Sequence, residues 1–379
     1  MDRKDYLKIG GLGALAVLLM LFSTVDPRNV KSGLRQANRW FANGAWMIPA
    51  MLFLGLVVGI MVLLRLRKRA ARQRYQAEIE RKVAQGPTVL LLPRADWKPV
   101  YPERINVWGR LADALPHDEH LSFEIFGSGA EIAFGLHASE KGLRAALTQF
   151  KAEWPGMGRR DIDDDPAKVP DGWSIWWCEC QPSTWDVPID AISSDPLRSV
   201  LVELNGVVGR GRGLLQVIAK SDFGTRKAVG QRAVEARGEG GKIPHAGVRA
   251  LRQKEARMLE KRFDRTFLQA TIRTVGMADT QERAQGIARG LARAVTSAFG
   301  PANPVKRVRE GQNPEPVLAR SPGVTQAWGD NELVYLAHLV GQDMQTVAPR
   351  LMVASAKSLP VAQPMRVTPL DQVVLFEKG

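Results

Sequence analysis

Residues 121–134 read LSFEIFGSGAEIAF, two alternating runs separated by a glycine turn. Leu121, Phe123 and Ile125 alternate with Ser122, Glu124 and Phe126, the period of a half-buried strand. Gly127-Ser128-Gly129 supplies the turn, and Ile132, Phe134 and Leu136 repeat the alternation. Period and turn chemistry together predict a β-hairpin.

Outward from the hairpin, each flank adds a helix and a strand. Before it lie a short apolar strand, Thr88–Leu92, and a helix over Pro102–Leu115 with Ile105, Trp108, Leu111 and Leu115 on one side. After it, Ser139 N-caps a helix whose stripe is Leu143, Ala146, Leu147, Phe150 and Trp154, stopped by Pro155-Gly156. A strand around Met157–Ile162 completes the order β-α-β-β-α-β, a ferredoxin-like unit over residues 87–168.

The same order returns over 169–310. Trp173–Cys180 reads as a strand, and Asp195-Pro196 opens a helix with stripe Leu197, Val200, Leu201, Leu204 and Val208. Leu214–Ala219 and Phe267–Gly276 are strands, Asp279 or Thr280 caps a long helix, and Val305–Val308 closes the unit. The remainder, 311–379, holds a helix over Asn331–Leu339 and a proline-spaced tail. The sequence thus predicts an α+β chain with two tandem ferredoxin-like units.

An insertion, 221–266, interrupts the second unit. Its first part carries Gly238, Gly240, Gly241 and Pro244 and reads as a loop bearing Arg226, Lys227 and Arg232. Its second part, Val248–Phe263, reads as an amphipathic basic helix with Arg249, Arg252, Arg257, Lys261 and Arg262. Two readings stand. The arginines are a solvated face paired with Glu255, Glu260 and Asp264, or the face contacts a polyanion such as DNA backbone or lipid headgroups.

Ahead of the units the chain is apolar. Ile9–Val25 and Trp46–Leu64 are uncharged or nearly so, and at about 1.5 Å per residue the second is the length of a bilayer span. A signal peptide is the rival reading of the first run, but the second follows closely. The expectation is a transmembrane hairpin over 1–65, then a basic juxtamembrane helix over 66–86. Arg65, Arg67, Lys68, Arg69, Arg72 and Arg74 would lie at the membrane surface. By the positive-inside rule both termini are then cytoplasmic, in a multi-pass protein of a bacterial inner membrane.

The 379 residues carry 53 Lys and Arg against 39 Asp and Glu, a formal net charge of +14, which favours polyanionic partners. Two cysteines, Cys178 and Cys180, are too few for a disulfide framework. On one strand they share a face, and a core pair fits them better than a zinc site without further ligands. His117-Asp-Glu-His120 lies in a turn and makes a poor metal site. No phosphate-binding G-x-x-x-x-G-K-[ST] occurs, and Gly209-Arg-Gly-Arg-Gly213 reads as a helix end and hairpin connection. No cofactor, metal or catalytic residue is expected.

Leu121–Phe134, the helix from Ser139 to Trp154, Asp195–Leu204 (DPLRSVLVEL), Glu260–Val275 (EKRFDRTFLQATIRTV) and Glu332–Leu339 (ELVYLAHL) carry a resemblance. They resemble the region ahead of the motor in TraG/HerA-like conjugative coupling ATPases of type IV secretion systems. The resemblance covers most of Thr88–Phe376 and rests on fold-level patterns. Such ATPases continue into a RecA-like motor, whereas these residues reach Gly379 without one. What it implies is a non-catalytic, membrane-anchored component of a DNA-transfer apparatus. Its partners would be a separate motor ATPase, secretion-channel proteins, DNA and further copies of the chain. A regulatory DNA- or lipid-binding membrane protein with ligand-sensing units is the alternative.

Overall fold

The computed structural model describes residues 47–98, 100–116, 118–162, 164–192, 195–237 and 246–354; of 47–55 and 246–251 it describes the helical backbone alone. The chain divides into two compact units after Tyr75. Helix α1 spans Met47–Ala84, where the sequence predicts a membrane span followed by a separate basic helix. Among the described residues no helix is long and apolar enough to cross a membrane. The uncharged stretch of α1 ends at Leu64. Arg65, Arg67, Lys68, Arg69, Arg72 and Arg74 follow, all exposed. The expected transmembrane hairpin and the multi-pass inner-membrane localisation with cytoplasmic termini are corrected on the finding that no described helix is long and apolar enough to cross a membrane. The first expected span, Ile9–Val25, lies outside the described residues.

The larger unit, Gln76–Gly379, is built on β-structure. In chain order its elements are β1 (Thr88–Leu92), α2 (Val107–Ala114), β2 (His120–Ser128), β3 (Ile132–His137), α3 (Glu140–Glu153) and β4 (Gly158–Asp161). Then come β5 (Ser174–Pro182), α4 (Leu197–Gly206), β6 (Gly211–Ser221), α5 (Thr225–Arg237), α6 (Ala246–Phe263) and β7 (Phe267–Ala278). The last are α7 (Gln281–Ser297), β8 (Val305–Gly311), α8 (Glu315–Leu318), β9 (Gln326–Gly329), α9 (Asp330–Leu333) and α10 (Gln342–Val347).

The strands form one sheet of nine, ordered β4-β1-β3-β2-β6-β7-β5-β8, with β9 on β7 and every neighbouring pair antiparallel. This corrects the expected architecture, two units in tandem behind a membrane hairpin. Instead β2 and β6 pair from His120↔Lys220 to Ser128↔Arg212, so the two runs of strands merge into a single antiparallel sheet. The reason is apolar continuity. Leu121, Phe123 and Ile125 of β2 and Leu215, Val217 and Ala219 of β6 belong to one buried cluster that crosses the seam.

Helices cover one face. The Ser139 hydroxyl accepts from Gly142 N at 3.1 Å and caps α3. Phe150 of α3 stacks on Phe123, centroids 5.9 Å apart, and the Trp108 ring of α2 meets Phe123 edge-on at 6.5 Å. Trp108 Nε1 donates to Ala337 O at 2.6 Å, so the indole is both packed and satisfied. In the second half α7 lies close on β7. A Cβ at Gly276 would come within 2.0 Å of Ala284 O, and only glycine permits that approach.

The other face is crossed by a buried polar row. Glu124, Gln216, Arg273 and Glu179 stand opposite one another across β2, β6, β7 and β5. Gln216 Nε2 donates to Glu124 Oε1 at 2.9 Å, and Arg273 Nη2 to Glu179 Oε1 at 2.8 Å. Residues 312–324 lie over this row. From them Arg320, at φ 49°, donates to both Glu124 oxygens (2.9 and 3.1 Å) and to Asp165 (2.5 and 2.6 Å). Burial works to lower the Arg320 pKa, but the Glu124 and Asp165 carboxylates outweigh it and raise it.

Candidate nucleic-acid interface

The insertion between β6 and β7 is a helical hairpin, α5 packed on α6. Asp222 starts it. Its Oδ1 accepts from Gly224 N (2.9 Å) and Thr225 N (3.1 Å), and its Oδ2 from Gln269 Nε2 (2.5 Å) and the Thr225 hydroxyl. Burial raises the Asp222 pKa, yet these hydrogen bonds, from Thr225 and Gln269 first, hold it below the usual range. The region read as a loop is therefore helical over Thr225–Arg237, and the glycine-rich 238–245 lies outside the described residues.

The hairpin has its own small core: Val229, Ala233 and Ala236 from α5, Ala256 and Leu259 from α6, closed by Phe267 and Ala327. Gly230 lets the Phe263 ring rest against α5, where a Cβ would meet it at 2.8 Å. Arg226 lies over the other part of that ring, 5.1 Å from its centroid.

The hairpin's charges segregate. Arg232 of α5 pairs with Asp186 (2.6 Å) and Glu255 (3.6 Å), and Arg237 with Glu260 (2.6 Å). Glu255 and Glu260, two of the three acids expected to neutralise α6, are thus engaged by α5. Arg252, Lys254, Arg257 and Lys261 are exposed and make no ion pair among the described residues, as is Lys227 of α5. Lys254, Arg257 and Lys261 recur at spacings of three and four and form one stripe.

Arg262 is a different case. It is 2 % exposed and sits inside the molecule. Its Nη2 donates to Ala327 O (3.1 Å) and Glu332 Oε2 (3.0 Å), Nη1 faces Glu332 Oε1 (3.0 Å) and Val187 O, and the guanidinium lies over the Phe267 ring. Burial lowers the Arg262 pKa and raises that of Glu332, against their mutual attraction. It anchors the hairpin and is out of reach of any ligand. Of the residues singled out, the structure places Arg252, Arg257 and Lys261 on one exposed helix, with Arg226, Lys227 and Arg232 on its neighbour. The Arg249 side chain lies outside the described residues.

Elsewhere Cys178 and Cys180 are buried together, and burial pushes their thiols up to about 11 and about 12, so both stay protonated. His120 is buried, with burial and then nearby His137 pushing its pKa down to about 4. His117 lies outside the described residues.

Compared with known proteins, the chain matches no family model and no curated protein.

Proposed function

We propose that this chain is a non-catalytic component of a DNA-transfer apparatus that holds nucleic acid by its phosphate backbone through α6. The observation that carries this reading is the segregation of charge in the hairpin. α5 takes up Glu255 and Glu260, and Lys254, Arg257 and Lys261 make no ion pair among the described residues. A solvated face would gain most from pairing those charges along the helix; here the acids point elsewhere. The excess of 14 positive charges over the chain supports a polyanionic partner. The likeness to the pre-motor region of conjugative coupling ATPases supports a place in such an apparatus.

Lysine and arginine on one helix face supply phosphate contacts without base-edge recognition, so binding should be indifferent to sequence and steep in salt. The test is titration of the full chain with DNA at two or more salt concentrations. Affinity falling with salt, and a slope reduced in a variant carrying Lys254→Gln, Arg257→Gln and Lys261→Gln, is the expected result. Weak binding by both proteins with equal slopes would return α6 to a solvated face.

A further inference from the structure

A second basic surface lies on α4, α7 and β8. Arg289, Arg293 and Thr296 fall at spacings of four and three on α7 and form one stripe. With Ala292, Val305, Lys306 and Arg307 they line an open groove of about 440 Å³. Arg293 and Thr296 also line the adjoining groove of about 690 Å³, whose other wall includes Arg198 and Ser199 of α4. The two grooves share Arg293 and Thr296 of α7, so they adjoin as an open basic channel.

Two acids touch this channel. Glu203 lines its α4 wall, close to Gly290. Glu310 does something more useful. Its Oε2 accepts from Arg289 Nε (3.1 Å) and Nη2 (3.0 Å) and from Trp176 Nε1 (2.9 Å), and its Oε1 faces Arg307 Nε at 3.3 Å. The Trp176 ring lies under the Arg289 guanidinium, 5.6 Å away. One carboxylate thus fixes two arginines while most of their N–H donors stay unused, since each guanidinium has five. Edge protection accounts for Lys306 and Arg307, which lie on a terminal strand. It does not account for Arg198 and Arg293, which lie on helices and not on the edge strand.

We propose that this channel is a track for the backbone of single-stranded nucleic acid, with Arg198, Arg289, Arg293, Lys306 and Arg307 facing successive phosphates. The inference rests on the proposed function and adds the path of the strand. A positively charged groove that tracks one backbone suits a single strand, and fixed arginines lose little freedom on binding. With the Trp176 face covered by Arg289, no stacking platform is offered there, so the track should not select bases.

The experiment uses the full chain, a labelled thymidine oligonucleotide and the corresponding duplex, titrated at several salt concentrations. An Arg293→Gln, Arg307→Gln variant should bind the single strand several-fold more weakly. Its salt slope should fall by about 1.4, at about 0.7 per phosphate contact. An Arg293→Lys, Arg307→Lys variant should keep most of the affinity, because charge is what the track supplies. An unchanged affinity and slope in the Gln variant, while the α6 variant is weakened, overturns the track and leaves the proposed function standing. Loss of binding in the Lys variant equal to that in the Gln variant overturns it too, as a structural effect. Equal weakening on duplex and single strand overturns the single-strand assignment. No binding by the unaltered chain removes the track and the proposed function together.

Discussion

Arg257 and Arg262 lie on the same helix, little more than a turn apart, and belong to two different regions. Arg257 is exposed without an ion pair among the described residues, whereas Arg262 is buried and holds Glu332 and two backbone carbonyls. The base of α6 is therefore part of the fold, and its outer stripe is free to meet a ligand. The same contrast separates Arg320, closed over the polar row, from Arg293 on the open face of α7. A guanidinium committed to internal partners affects stability when removed; an exposed one affects binding and salt dependence.

The sharpest way to break this contrast is to remove the buried arginines. Arg320→Met leaves the Glu124 carboxylate buried without its main partner. Removing one member of a buried pair typically costs about 3–5 kcal/mol, so chemical denaturation should register a loss of that order. A change below about 1 kcal/mol would mean that Gln216 and Ser122 suffice for Glu124. Arg262→Met should cost roughly 3 kcal/mol by the same argument, and proteolysis should then cut preferentially within α5 and α6, because the anchor of the hairpin is lost.

A smaller effect should appear with pH. The folded pKa of His120 is about 4, below its unfolded value of about 6.5. The unfolded chain therefore takes up the proton first. This contribution to stability is full above about pH 6.5 and is lost as pH falls toward 4, by on the order of 3 kcal/mol. His120→Gln should flatten unfolding free energy over that interval. An equally steep loss in the variant would assign the dependence to other groups.

The smallest stability effect belongs to the exposed stripe. Changing Lys254, Arg257 and Lys261 to Gln should leave unfolding within about 0.5 kcal/mol while lowering the DNA salt slope by up to about 3. If that variant unfolds as readily as Arg262→Met, the division of α6 into anchor and ligand face fails.

Much of the sheet was legible because alternation and turn chemistry are local. β1, the β2–β3 hairpin and the cap at Ser139 stand where residues 88–139 predict them. What local pattern cannot report is which polar residues are buried. Ser122 and Glu124 alternate with apolar neighbours and read as solvent-facing; they are buried because Arg320, 196 residues from Glu124, covers them. Arg262 reads as one more basic residue on a helix because its partner, Glu332, is seventy positions away. The stripe Val229, Ala233 and Ala236 of α5 was visible at helical spacing, but the glycines that follow drew the reading toward a loop. The α7 channel was missed because its arginines sit on three separate elements.

The strand order β4-β1-β3-β2-β6-β7-β5-β8 reads the same in either direction once each strand of the first half is matched to its counterpart in the second. Two equivalent strands, β2 and β6, meet antiparallel, and the midpoint of their pairing falls at Glu124↔Gln216. The seam is thus an isologous, two-fold contact made within one chain, the kind that usually joins separate subunits. The two outer edges are equivalent under that axis, and both are basic: Arg159 and Arg160 on β4, Lys306, Arg307 and Arg309 on β8. A second copy adding itself edge to edge would set like charge against like, so the sheet is closed to indefinite growth by the symmetry that built it.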